Sequence, residues 1–257
     1  MKIVDVPELQ AFVEKELLKL QSPGAIAGRL ATGIDGLPFA SRDTIERFIR
    51  SVHGRKLEYE LKLLKQKNRR RHKKRPKVTM LSNRKFIDER PEVIKNRERV
   101  GDLEADFIVS GKSGSGYLLT GADRKLRNGF IRKILPVTIL NMEQAFLDVK
   151  RAFPELKSIT TDNDLLFQHH ERLEELLGVP IYFCDPYASW QKGTIENYNG
   201  RVRKYIPKGA DISSYSHEYI QFIEDRLNSR FMSVLGYKTP EEALTEYRKG
   251  PKNKTSR

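Results

Sequence analysis

Val100-Gly101-Asp102-Leu103-Glu104-Ala105-Asp106-Phe107-Ile108-Val109 is the stretch that decides the fold. Apolar and acidic side chains alternate along it, the two-residue period of a strand. It stops at the glycine- and serine-rich turn Gly111 to Gly116. Two more strand-like runs follow, Tyr117 to Ala122 and Phe130 to Val137. Asn141 is placed to cap a helix through about Phe153, and Ser158 to Thr161 makes a short strand. His170 to Leu177 reads as a helix, Ile181 to Phe183 as a short buried strand. Helices are expected from Gly193 to Tyr205 and from Ser216 to Leu227. Strands alternating with helices in this order predict a mixed α/β domain. Gly111-Lys112-Ser113-Gly114 is no phosphate loop, because Asp106 stands where that pattern needs glycine. A hairpin turn accounts for it better.

Upstream of this domain the charge is concentrated. The 257-residue chain carries a net charge of +14, and residues 55–99 hold 18 Lys and Arg against 6 Asp and Glu. At their centre lies Arg69-Arg70-Arg71-His72-Lys73-Lys74-Arg75. So dense a block repels itself, and it reads as a linker or arm. Its cations either contact phosphates or form a solvated face. Residues 7–53 look helical, with Leu9, Phe12, Val13, Leu17 and Leu20 on one face. Ser22-Pro23 starts a helix that turns Ile26, Ala27 and Leu30 inward. Ser41 caps another, anchored by Ile45, Phe48 and Ile49, which leaves Arg42, Thr44, Arg47 and Arg50 to meet DNA. The outline is a helix-turn-helix, although any small helical bundle shows the same caps and periodicity.

Composition narrows the function classes. The basic excess points to a polyanionic partner, nucleic acid or an anionic membrane surface. No apolar run approaches the roughly 18 residues of a membrane span. One cysteine, Cys184, excludes a disulfide framework and a cysteine-based zinc site. A soluble intracellular protein is the bound that follows.

Three carboxylates stand at element ends or in the first strand. Asp106 precedes Phe107-Ile108-Val109, Asp162 follows the strand Ser158 to Thr161, and Glu196 lies near a helix start. Oxygen ligands without a thiolate suit Mg²⁺ or Mn²⁺. Two such ions clamp the attacking and leaving oxygens of a phosphodiester displacement. By position alone, caps and solvated surface are the commoner account of such residues.

The residues also resemble a known family. Gly101-Asp102-Leu103-Glu104-Ala105-Asp106 is similar to the G-H-W-E-G-D strand of the family-thirty transposases of bacterial insertion sequences. Asp185-Pro186-Tyr187-Ala188-Ser189-Trp190-Gln191-Lys192-Gly193-Thr194-Ile195-Glu196-Asn197-Tyr198-Asn199-Gly200 resembles their D-P-Y-S-x-W-Q-R-G-x-N-E-N-x-N-G signature. Asp162-Asn163 with Phe167 and His170 resembles the middle block, and Leu235-Gly236-Tyr237-Lys238-Thr239-Pro240-Glu241-Glu242 the usual close. Thirty-three residues separate Asp162 from Glu196, the spacing typical of the family's Asp-Asp-Glu triad. Asp164, Leu166, Leu103 and Ala105 depart from the family pattern. The chain also starts almost at the Ser-Pro helix, so either a shortened member or a trimmed copy is expected.

The resemblance implies a ribonuclease-H-like catalytic domain that cleaves DNA and transfers strands, with Asp106, Asp162 and Glu196 as catalytic residues and Mg²⁺ ligands. Mn²⁺ is expected to substitute. Arg203, seven residues after Glu196 and on the same helical face, is a candidate for the phosphate beside the scissile bond or a solvated charge. Asn163, Asn197 and His170 either support the site or cap. The expected organisation is 1–54 helix-turn-helix, 55–99 basic arm, 100–248 catalytic domain and 249–257 basic tail. The resemblance further implies double-stranded DNA, the terminal repeats and the target, as the partner of a homo-oligomer on DNA in the cytoplasm. A non-catalytic DNA-binding derivative and a nuclease for RNA–DNA hybrids are the rival readings.

Overall fold

The computed structural model describes residues 3–65, 83–185 and 189–250. Its helices and strands run α1 (Pro7–Leu18), α2 (Pro23–Ala31), α3 (Arg42–Arg50), α4 (Arg55–Lys65), β1 (Lys85–Phe86), α5 (Glu92–Lys95), β2 (Asp102–Val109), β3 (Tyr117–Asp123) and β4 (Gly129–Ile134). They continue with α6 (Ile139–Ala152), β5 (Ser158–Thr161), α7 (His170–Leu177), β6 (Ile181–Phe183), α8 (Gly193–Val202), α9 (His217–Asn228) and α10 (Pro240–Arg248). The chain divides into two compact units, Met1–Arg69 with Asn228–Arg257, and Arg70–Leu227.

In the second unit six strands form one sheet in the order β1-β6-β5-β2-β3-β4. β3 runs antiparallel to β2 and β4, while β2, β5, β6 and β1 are parallel to one another. An antiparallel meander whose first strand continues into parallel strands is the ribonuclease-H-like arrangement. Alternation along β2 divides its side chains between two faces. Ile108, with Leu118, Ala122 and Ile131, packs under Ile195, Tyr198 and Val202 of α8 and Ile220, Ile223 and Leu227 of α9. Phe107 turns the other way, its ring 5.4 Å from that of Phe167, which lies 5.9 Å from Phe146 on α6. Each such fully buried side chain stabilises the fold by about 1.5–3 kcal/mol. Glu104 and Asp106 therefore share the α8 face of β2 with Ile108.

Three expectations need correction. Thr138 rather than Asn141 caps α6: its hydroxyl accepts from the Asn141 amide at 3.2 Å, and the Asn141 side chain instead donates to the Pro136 carbonyl. Residues 55–65 and 83–99, expected within an arm, are folded where described. Leu57 and Leu61 of α4 are buried in the amino-terminal core, and Ile87, Arg90 and Ile94 are buried in the sheet unit. Arg69, Arg70, Arg71, Lys73, Lys74 and Arg75 lie outside the described residues. Residues 228–248, expected within the catalytic domain, cluster with α1 to α4.

Polar contacts explain that last placement. The buried Arg29 of α2 forms paired bonds to Asp35 and to Glu242 of α10, each Glu242 oxygen at 2.7 Å. Its guanidinium lies 4.9 Å over the Phe231 ring, which stacks on Phe12. Gln21 donates to the Ser229 carbonyl at 3.2 Å and accepts from the Phe231 amide. Gly28 is tied to the same contact, because a Cβ there would come within 2.0 Å of the Tyr237 ring. Among the described residues no helix is long and apolar enough to cross a membrane.

Candidate active site

β2 and β5 are parallel neighbours with Glu104 opposite Thr160, so Asp106 and Asp162 emerge at the same end of adjacent strands. The carboxyl-terminal edge of parallel strands is where such sheets build sites. Lys192, immediately before α8, reaches between the two carboxylates. Its Nζ lies 3.4 Å from Asp106 Oδ1 and 3.4 Å from Asp162 Oδ2, and only 6% of its side chain is exposed. Burial disfavours the ammonium, but the charges of Asp106 and Asp162 outweigh it and raise the lysine above its ordinary value. Burial likewise pushes the Asp106 carboxyl up, against the pull of Lys192.

α8 supplies the rest of the site. Asn199 donates to Asp106 Oδ2 at 2.8 Å. Glu196 stands one turn earlier on the same helix, exposed in its first turn. Glu104, fully buried two residues before Asp106, accepts from the Thr194 amide at 2.8 Å and the Ile195 amide at 3.0 Å. Its other oxygen pairs with Arg124. The first amides of a helix have no partner within the helix, and a carboxylate there satisfies both hydrogen bonding and dipole. Glu104 thus pins the start of the Glu196 helix to the Asp106 strand. Asp185 and Gln191 close the preceding loop through two bonds of 2.8 and 2.9 Å.

The other sequence candidates divide. Arg203 ends α8 half-buried, donates to the Pro207 carbonyl at 3.3 Å, and lies near enough to Asp106 to feel its charge. Asn163 bridges to the Cys184 carbonyl at 2.9 Å, and Asp164 caps the turn after it through the Leu166 amide. His170 is buried against the Phe183 ring, with its nitrogens on the Phe167 and Asn83 carbonyls, so it serves packing rather than DNA contact. Cys184 is buried core, its thiol pushed up to about 12 by desolvation. On α3, Arg42, Arg47 and Arg50 are exposed, whereas Thr44 is drawn into the Ser41 cap. Glu46 pairs with Arg42 at 2.8 Å and Arg50 at 3.9 Å. The connection from Thr32 to Ser41 between α2 and α3 is longer than the usual turn of about three or four residues.

Sequence reasoning missed Glu104, Lys192 and Asn199 as site residues. A strand period of two places Glu104 beside Asp106, and the other two lie within the long Asp185 to Gly200 motif.

Among the described residues no three His, Cys, Asp or Glu side chains converge tightly enough to hold a metal ion. Two carboxylates do converge, and they already surround a cation. Buried oxygens of Asp162 and Asn199 lack hydrogen-bond partners here. An oxygen-rich, partner-poor site around two carboxylates fits a hard divalent cation.

The chain is 37% identical over 248 residues to the transposase for insertion sequence element IS4351 of Bacteroides fragilis, covering 95% of this chain and 75% of that one. It is 36% identical over 160 residues to the transposase InsI for element IS30A of Escherichia coli K12, covering 62% of this chain and 41% of that one. The chain thus spans less than half of the second relative. Among solved structures, the catalytic core domain of BIV integrase is similar with a TM-score of 0.46 at 17% identity, over 58% of this chain and 96% of that one. No protein-family model matches the chain.

Proposed function

The chain belongs to the family-thirty transposases of bacterial insertion sequences, and on that premise we propose that it cuts and joins DNA at element ends through Asp106, Asp162 and Glu196. The observation that carries the reading is the pair Asp106 and Asp162, converging from adjacent parallel strands on one cation position.

Asp106 and Asp162 would hold Mg²⁺, or Mn²⁺ in its place, and Glu196 would complete the ligand set from the first turn of α8. A divalent metal held there would supply activation of the attacking oxygen and stabilisation of the leaving one in phosphodiester displacement. Asn199 fixes the Asp106 carboxylate through its amide. Water is the first nucleophile and releases a DNA 3′-hydroxyl; that hydroxyl then attacks a phosphodiester of the target. No side chain becomes bonded to DNA. Arg203 positions a phosphate at the far end of α8. In the amino-terminal unit, α3 reads the terminal repeat through Arg42, Arg47 and Arg50, and the basic segment around Arg69 to Arg75 supplies affinity through the backbone. The reaction takes place in the cytoplasm, on a DNA-bound homo-oligomer.

The test is substitution that preserves side-chain shape. Asp106→Asn, Asp162→Asn and Glu196→Gln are each expected to nearly abolish cleavage and strand transfer on labelled terminal DNA while retaining DNA affinity. Turnover close to wild type in any one removes that residue from the set. Loss of DNA binding in step with cleavage points instead to a role in binding.

A further inference from the structure

Lys192 stands where a metal ion is required. Its stem is buried, its Nζ lies 3.4 Å from an oxygen of each aspartate, and the helix that begins at Gly193 fixes its backbone. A buried ammonium is stable only when paired, and two facing carboxylates, of which Asp162 is half exposed and Asp106 less so, favour a cation between them. The structure closes both requirements with one side chain.

That solution conflicts with metal binding. Mg²⁺ approaches carboxylate oxygens to about 2.0–2.1 Å. An ammonium in the same gap repels the ion and occupies one oxygen of each carboxylate. Lys192 must therefore withdraw when the ion enters, and its charge then needs another anion. A DNA phosphate at the site is the anion that the reaction itself brings.

We propose that Lys192 is a built-in counter-ion that competes with the divalent ion for Asp106 and Asp162 until a DNA phosphate draws it away, so that metal and DNA bind cooperatively. The inference rests on the metal site proposed above. Without DNA the ammonium keeps the aspartate pair neutralised and the metal weakly held. With DNA bound, the same ammonium moves from rival to phosphate contact. Linkage makes the coupling reciprocal, so the ion also raises the affinity for DNA. Lys192 acts here as a positioning residue and takes no part in bond making.

The experiment is calorimetric titration of the full chain with Mn²⁺, with and without a short DNA duplex, for wild type, Lys192→Gln, Lys192→Arg and Asp162→Asn. Thermal melts of each without metal verify folding. In Lys192→Gln the metal is expected to bind about tenfold tighter without DNA, and the gain on adding DNA should shrink by a similar factor. Lys192→Arg keeps the charge and should keep the weak affinity and the coupling. The Mn²⁺-induced rise in melting temperature should be larger in Lys192→Gln than in wild type. Unchanged metal affinity in Lys192→Gln, with Asp162→Asn losing the metal, overturns the counter-ion role alone. Unchanged affinity in Asp162→Asn as well overturns the metal site on which it rests.

Discussion

Truncating Glu104 to alanine removes one carboxylate and leaves three groups without their partner. The Arg124 guanidinium, only 6% exposed, loses its counter-charge, and the Thr194 and Ile195 amides lose their acceptor. Removing one member of a buried ion pair costs about 3–5 kcal/mol. The stranded amides add to this, but part of their cost is already counted in the same lost carboxylate. For a domain of this size about 1 kcal/mol lowers the melting temperature by roughly 2–4 °C, so Glu104→Ala should melt roughly 6–20 °C below wild type. Replacing both partners, Glu104→Leu with Arg124→Met, should recover most of that loss, because an apolar pair of similar volume leaves no buried charge. Catalysis should not recover with it. The start of α8 remains untethered, and displacement of a catalytic group by about 1 Å can cost about a hundredfold in rate. The assays are thermal unfolding of the single and double variants as a cycle, then cleavage of labelled terminal DNA by the double variant. A double variant no more stable than Glu104→Ala refutes the ion-pair account. A stable double variant that cleaves at the wild-type rate refutes the claim that Glu104 positions Glu196.

Four further outcomes follow from other parts of the molecule. Gly28→Ala should destabilise the amino-terminal unit by about 1–3 kcal/mol through overpacking against the Tyr237 ring, and Tyr237→Ala should rescue it; melting of both variants and their combination decides the matter, and a lack of rescue removes the ring from the account. Neutralising Arg69 to Arg75 should weaken specific and scrambled duplexes alike, flattening log K against log[salt] by about 3.6 if about four cations touch phosphates. Replacing Arg47 and Arg50 should instead narrow the specific-to-random ratio by about 1–3 kcal/mol per base contact; paired salt titrations separate the two, and an unchanged ratio moves sequence reading off α3. Burial raises the Asp123 carboxyl to about 6 against the pull of three backbone amides. Because the folded value lies above the unfolded one of about 3.9, this group favours folding below pH ~4 and loses that contribution as pH rises through ~6. Denaturant unfolding from pH 4 to 7 should show the stability difference between wild type and Asp123→Asn changing over that window; a constant difference contradicts the shift.

The parts of the fold that were legible are those whose signal is local. Ser158–Thr161, His170–Leu177 and Ile181–Phe183 have the limits expected from short apolar runs bounded by turn or capping residues. β1 was not legible, because two residues in a charged stretch carry no period and pair only through distant β6. α4 was hidden by its own charge, which masked the apolar pair Leu57 and Leu61. The same limit applies at the site. A strand end locates Asp162, and a motif contains Lys192, but nothing local distinguishes a buried ammonium from a solvated one. Its partner Asp106 lies 86 residues away in the chain. Glu104 is equally non-local, since its amide partners lie 90 and 91 residues further on.

The union of α2 with α10 bears on how the protein is made. Arg29 and Glu242, which close the amino-terminal unit, are 213 residues apart in sequence. At about 5–20 residues per second, a ribosome takes roughly 10–40 s to synthesise that interval. Throughout it, α2 has left the ribosome with a buried arginine's partner and its covering Tyr237 still untranslated. The sheet unit is synthesised whole within the same interval. α2 is therefore made before the sheet unit yet completed after it, and a nascent chain released early lacks the α10 half of the Arg29 clamp.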